Sequence, residues 1–258
     1  MRLDKYLTDA GIGTRSEVKK YIKRGQITVD GSMVRDPGSH VSPDMLVAFR
    51  GEPVTHEIII WFMLHKPAGI ITATEDRYEQ TVLDLITEPL PAKIRQSLFP
   101  VGRLDRDTEG LLLITNDGET SHRLLSPKYH VDKTYYAKVS GCVTDADVLA
   151  FRDGLTISGE VECLPAELKV LSVCERDGSD DPDTDPHISE IEITIREGKY
   201  HQIKRMFRAV GHEVLYLKRI AMGPLQLDDA LPVGSFRRLT DVEIRLITEA
   251  SLQNTQNR

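Results

Sequence analysis

The sequence predicts an α+β fold in two parts. A small basic N-terminal module of two short helices and a hairpin precedes a larger body of strands flanked by helices. Three observations support this. Residues 1–35 hold eight Lys/Arg against four Asp/Glu, a net +4 in a 258-residue chain of net charge −7, which leaves −11 for the rest. Apolar residues recur at helical spacing in 3–10 and 203–210, but alternate in 135–140 and 188–195. Between the two parts, FRGEPVTHE is polar and contains Pro and Gly, the composition of a linker.

The module begins with Leu3, Tyr6, Leu7 and Ala10, which form one face of a helix ending near Gly11. Thr14 and Glu17 have the spacing of a capping box for a second helix. Its apolar side is Val18, Tyr21 and Ile22; Lys19, Lys20, Lys23 and Arg24 occupy the rest, and Gly25 can supply a left-handed stop. Ile27 and Val29 then alternate into Asp30-Gly31, a hairpin turn signal. A basic module on an acidic body suggests polyanion binding; on charge alone, a solvated basic face fits equally well.

In the body, 58–74 reads as a buried strand, a turn at Lys66-Pro67-Ala68-Gly69 and a second strand; TVLDLI (81–86) and AKIRQSLF (92–99) read as short helices. The longest apolar run, IIIWFML, is too short to span a membrane. The start MRLDKYLTDAG lacks the apolar core of a secretory leader, and Cys142, Cys163 and Cys174 have neither metal-site nor redox spacing. These features suit a reducing cytoplasm. Cys174–Glu190 is rich in Asp, Pro, Gly and Ser and reads as a solvated hairpin loop. Its Asp181, Asp183 and Asp185, with Glu192 at the twelfth position, resemble a calcium loop. Pro186 stands where that loop needs Gly, and ISEIEITI reads as a strand, so no metal site is expected.

VGRLDRDTEG places Asp105 and Asp107, with Arg103 and Arg106, just before Leu111–Ile114. It reads as a loop at the edge of a core. A carboxylate held there can be catalytic or part of a structural Asp–Arg network; spacing alone leaves both open. HVDKTYYAKVSG reads as a strand with Tyr135, Ala137 and Val139 on one face. ITIREGKYHQIKRMFRAVGH reads as strand, turn and helix, with Ile203, Met206, Phe207 and Val210 buried, Gly211 as the stop, and Lys199, His201, Lys204 and Arg205 clustered at the helix start. Cations beside a buried carboxylate favour its charged form. His122 and His130 read as structural.

RLDKYL and TRSEVKKYIKRGQITVDG resemble the RNA-binding S-four domain, first known from a small-subunit ribosomal protein, over residues 1–50. That resemblance implies RNA contact by Arg15, Lys19, Lys20 and Lys23, salt-dependent and poor in sequence information. LHKPAG, GRLDRDTEGLLLITNDG, KTYYAKV and EGKYHQIKRMF resemble the pseudouridine synthases, and within them the branch acting on single uridines in ribosomal RNA. SPKYHVDKTY and EGKYHQIKRMF look more like its small-subunit enzymes than its large-subunit ones.

The resemblance implies a mostly antiparallel sheet flanked by helices, over residues 59–250, with the cleft across the sheet. It leaves 51–58 as linker and 251–258 as a flexible tail. It further implies isomerisation of a flipped-out uridine without cofactor, on a small-subunit assembly intermediate, by a monomer. Asp105 corresponds to the family's catalytic aspartate, Tyr135 to a ring stacking on the uracil and helping remove its C5 proton, and Lys204, where many relatives carry Arg, to the partner of Asp105. Arg103 would fill the space left by the base; Arg106 and Asp107 would fix the loop or touch RNA; His201 and Arg205 would orient the loop or touch phosphate. Two other readings are a non-catalytic ribosome-assembly factor and a glycoside hydrolase using Asp105 and Asp107. Against the second, both acids lie in one tight loop and aromatics make up only 6% of the chain.

Overall fold

The N-terminal unit of this computed structural model, Met1–Ile59, is built on two short helices, the second of them capped by local side chains. The structure describes residues 1–42, 45–54, 59–126, 129, 131–175 and 186–253. Helix α1 (Leu3–Asp9) runs into Gly11 at φ +72°. Helix α2 (Arg15–Lys23) opens on the Thr14/Glu17 capping box, with both reciprocal bonds formed. Strands β1 (Ile27–Val29), β2 (Ser32–Met33), β3 (Val47–Phe49) and β4 (Glu52–Pro53) form an antiparallel sheet in the order β2-β1-β3-β4. The β1–β2 turn is Asp30-Gly31, both at positive φ as a two-residue hairpin requires. Leu3, Leu7, Val18, Ile22, Ile27 and Val47 pack between helices and sheet. Val54, next after β4, closes this core, so ordered structure extends past residue 50.

The second unit, Ile60–Arg258, carries the larger sheet. Its elements are β5 (Trp61–Lys66), α3 (Ala92–Ser97), β6 (Phe99–Pro100), β7 (Glu109–Thr115), α4 (Gly118–Leu125), β8 (Lys133–Ser140), α5 (Asp145–Asp153), β9 (Thr156–Ile157) and β10 (Val161–Glu162). These are followed by β11 (Glu167–Glu175), β12 (His187–Ile195), α6 (Gln202–Ala209), β13 (Val214–Met222), β14 (Leu225–Gln226), β15 (Phe236–Arg238) and α7 (Asp241–Gln253). The sheet order is β11-β12-β8-β13-β7-β5-β15. Among the described strand pairs of this sheet only β7–β13 is parallel.

The central strands read as unbroken apolar runs because both their faces are covered. Phe62, Leu64, Leu112 and Ile114 join Tyr135, Ala137 and Val139 under α5 and α6. Trp61, Met63, Leu111 and Leu113 face the opposite way, against Leu124 of α4 and Ile247 of α7. Ile203, Met206 and Phe207 form the buried stripe of α6, with Val210 half-buried and Gly211 at φ +88° beyond it.

Two expected elements do not form. Residues 70–74 make one isolated bridge, Ile71 to Thr81, and not a strand; Thr72 Oγ1 instead donates to the Leu104 carbonyl at 2.8 Å. TVLDLI is a run of turns, not a helix. Asp84 accepts from both the N–H and the hydroxyl of Thr81, a side-chain capture that competes with helix in so short a segment. The acidic stretch is partly ladder: β11 runs to Glu175 and β12 begins at His187. Asp181, Asp183, Asp185 and His130 lie outside the described residues. Glu192 pairs with Tyr136 and Lys169 in the sheet. Helix α7 continues through Gln253, into the expected tail.

At the parallel junction Gly110 has φ +104°, and a Cβ there would lie 2.2 Å from the Arg219 carbonyl oxygen. Backbone cannot yield to that contact. Gly110→Ala should therefore cost about 3 kcal/mol or more, read as a lowered urea midpoint against wild type.

Candidate active site

The segment 101–108 leaves the core and returns to it as β7, and is pinned at several points. Leu104 is buried, and its N–H and carbonyl both bond Thr72 Oγ1. Gly69 N–H donates to the Arg106 carbonyl at 2.8 Å. Arg106 itself bonds the Gly69 carbonyl and pairs with Glu79 at 3.0 Å, so it fixes the loop. The strongest anchor was not singled out from the sequence. Lys66, wholly buried at the end of β5, donates to the carbonyls of Pro67 (2.9 Å), Arg106 (3.2 Å) and Thr108 (2.9 Å). A lysine closing an apolar run just before Pro was the available signal.

Asp105 projects from this loop, its side chain 27% exposed. The Lys204 ammonium lies 3.3 Å from Oδ2 and His201 Nε2 lies 3.5 Å from Oδ1. Lys204 sits closer to Asp107, at 2.6 and 2.8 Å from its two oxygens. The expected Lys204–Asp105 pair is thus a bridge shared by two carboxylates. An ammonium is a compact charge with three donors and can divide its contacts in this way. Burial pushes the Asp107 carboxyl up, but the Lys204 hydrogen bond and charge outweigh it and hold it below the ordinary range.

Tyr135, 7% exposed on β8, has Ile193 and Arg219 as its cross-strand neighbours. It lines a pocket with Ile195, Ile203 and Leu217, and Arg103, Asp105, His201 and Lys204 line the same pocket. Arg103 is exposed and makes no hydrogen bond or ion pair among the described residues. His201 is the N-cap of α6 in the left-handed conformation, φ +48°, and its ring stacks on Tyr200. Arg205 turns away from Asp105: it bonds both the hydroxyl and carbonyl of Ser158, and the Tyr200 carbonyl. It therefore ties the helix start to the β9–β10 turn. Glu197, nearly buried, accepts from Gln202, Leu164 N–H and Lys199, an anchor the sequence reading did not identify.

In the N-terminal unit, Lys19, Lys20 and Lys23 are exposed and make no ion pair among the described residues. Arg15 is partly engaged, 3.7 Å from the buried Asp4, whose carboxyl is held down chiefly by its hydrogen bond from Arg2. Among the described residues no three His, Cys, Asp or Glu side chains converge to hold a metal ion. A carboxylate beside an ammonium and an imidazole, in a pocket that a tyrosine also lines, suits nucleophilic or base chemistry on a planar ring.

A model of the RNA pseudouridylate synthase family matches residues 60–209, more than half of the chain. The chain belongs to that family. An S4 domain model matches residues 1–47 of the synthase. It is 44% identical to an uncharacterized RNA pseudouridine synthase, YtzG, of Bacillus subtilis, covering 96% of this chain and 99% of the relative. It is 39% identical to ribosomal small subunit pseudouridine synthase A of Vibrio cholerae, over 96% and 99% of the two chains. Ribosomal large subunit pseudouridine synthase B of Bacillus subtilis is 37% identical, over 95% and 94%. A crystal structure of a pseudouridylate synthase superposes with TM-score 0.63 at 33% identity, covering 96% of this chain and 99% of that one. The synthase is an isomerase with an N-terminal RNA-binding domain.

Two buried lysines in the synthase make its stability depend on pH. Burial, only partly offset by Asp107, Asp105 and Glu109, lowers Lys66 to about 8; burial and the nearby Arg219 charge lower Lys133 to about 8. Unfolded lysine titrates near 10.4. Between these values the unfolded chain binds more protons, so stability should rise with pH through this window and lose that gain as pH falls through 8. Urea unfolding at pH 7.5 and 9.5 should show the rise, and Lys66→Met should remove about half of it.

Proposed function

We propose that this synthase converts a specific uridine of small-subunit ribosomal RNA to pseudouridine, with Asp105 as its catalytic carboxylate. The observation carrying this reading is the placement of Asp105 at a pocket it shares with Tyr135, within 3.5 Å of Lys204 and His201. The uridine leaves its stack and enters the pocket, at a cost of a few kcal/mol offset by stacking and edge contacts. The N1–C1′ bond breaks, the uracil turns, and C5 joins C1′; C5 loses its proton and N1 gains one, so no outside group is consumed. Asp105, by attack at C1′ or by removal of a sugar proton, must carry its charge, and Lys204 stands 3.3 Å from it. Tyr135 provides the ring against which the uracil stacks, and Arg103, which has no hydrogen bond or ion pair among the described residues, takes the space the base has left.

The small-subunit reading is supported by the identity to the small-subunit relative and by EGKYHQIKRMF. Large-subunit RNA is the second reading, favoured by the nearly equal identity to the large-subunit relative. The N-terminal unit grips RNA through Lys19, Lys20, Lys23 and, in part, Arg15. The synthase works in the cytoplasm as a monomer, on an assembly intermediate.

Carbodiimide mapping of all cellular RNA, in cells lacking the protein and cells given back wild type or Asp105→Asn, tests the reading. One small-subunit stop should vanish and return only with wild type; a large-subunit stop would move the substrate, and full rescue by Asp105→Asn would refute the assignment. Purified Asp105→Asn should keep RNA affinity within about two-fold while forming no product. Removal of residues 1–59 should weaken RNA binding and flatten its salt dependence by about one unit of log–log slope per lost phosphate contact. An unchanged slope would exclude α2 as the grip.

A further inference from the structure

Tyr200 is out of keeping with the turn that carries it. The residue is 76% exposed, and its hydroxyl makes no hydrogen bond among the described residues. Yet every part of that turn is held. Lys199 N–H donates to Gln202 Oε1 at 3.0 Å, and its ammonium bonds the Glu162 carbonyl at 2.7 Å and the Glu197 carboxylate. The Tyr200 carbonyl accepts from Arg205, itself anchored on Ser158. His201 adopts a left-handed backbone that favours glycine, and this brings its ring onto Tyr200, 3.8 Å between centroids and 19° from parallel. His201 Nε2 in turn lies 3.5 Å from Asp105.

A large ring held in water on a rigid turn contributes little to folding. One face of Tyr200 is covered by His201, while the ring remains largely accessible one layer away from the candidate carboxylate. Removal of the uridine from its stack strips a neighbouring base of a partner. An exposed aromatic beside the carboxylate can replace that partner, and every base has a π-face to offer. We propose that Tyr200 is a stacking platform for the unpaired nucleobase next to the target uridine. This rests on the reading of the synthase as acting on a flipped-out uridine at Asp105. It defines the substrate class as RNA whose target uridine has an unpaired neighbour. A Tyr200 that merely shields His201 would act through turnover and would be indifferent to the neighbouring base.

The test uses the full-length protein and a single-stranded oligonucleotide spanning whichever uridine the mapping of all cellular RNA identifies. A wrong choice of ribosomal subunit therefore leaves it intact. Two further oligonucleotides carry an abasic nucleotide immediately 5′ or 3′ of that uridine. Wild type, Tyr200→Ala and Tyr200→Phe are compared in steady-state kinetics, and binding is measured in the Asp105→Asn background. Tyr200→Ala should raise KM and the Kd about ten-fold with kcat held, and Tyr200→Phe should restore most of the loss. One abasic position should cost wild type a similar factor and cost Tyr200→Ala nothing further. Unchanged binding by Tyr200→Ala, a loss confined to kcat, or full additivity with both abasic substrates would each overturn the proposal.

Discussion

The ammonium of Lys66 closes an otherwise apolar strand and directs three hydrogen bonds at three carbonyls, two of them in the Asp105 loop. A buried charge is tolerated only where its donors are all met, and here donors and acceptors match in number. The cost remains visible in the fall of its pKa to about 8. Without this ammonium the carbonyls of Arg106 and Thr108 would lose a buried partner, and the loop one of its main ties to the sheet. Gly110 completes the arrangement. Lacking a Cβ, it lets β13 come close enough for Arg219 Nε to bond the Leu111 carbonyl at 2.7 Å. The loop that presents Asp105 is therefore set by backbone contacts on one side and a buried cation on the other.

Above that foundation the charges are shared. Lys204 divides its ammonium between Asp107 and Asp105, with the tighter contacts to Asp107. A guanidinium would engage one carboxylate with a planar fork; the lysine instead balances two acids on one turn. His201 completes the surround of Asp105 from the N-cap of α6, at the expense of an unfavourable backbone conformation. Strain of that kind persists where surrounding contacts over-determine it, and the bonds around Lys199, Tyr200 and Arg205 do so here.

The N-terminal unit follows a different logic. Its core is small and α2 is capped by its own Thr14 and Glu17, which leaves Lys19, Lys20 and Lys23 without ion pairs among the described residues. Binding through exposed lysines is strong at low salt and nearly blind to sequence. On the proposed function, discrimination between uridines would fall to the body of the synthase, where rings and hydrogen-bonding groups line the pocket.

Features decided within a few residues were legible in the sequence. The Thr14/Glu17 capping box, the Asp30-Gly31 turn, the alternation through Tyr135 and the apolar stripe of α6 all follow from local hydrogen bonding or periodicity. Asp105 and Lys204 were legible through their motifs, and the structure brings them within 3.3 Å across about a hundred residues of chain. Other features were decided only by the tertiary structure. Thr72 bonds Leu104 where a strand was expected, Asp84 captures Thr81 where a helix was expected, and Arg205 turns to Ser158 instead of toward the carboxylate. Lys66 looked like one end of a turn because two of its three partners lie some forty residues away. By itself the sequence determined most of the longer elements and their buried faces, and it marked the candidate site residues by type. Which cation meets which carboxylate was settled by packing, because such contacts depend on distance across the fold and not on spacing along the chain.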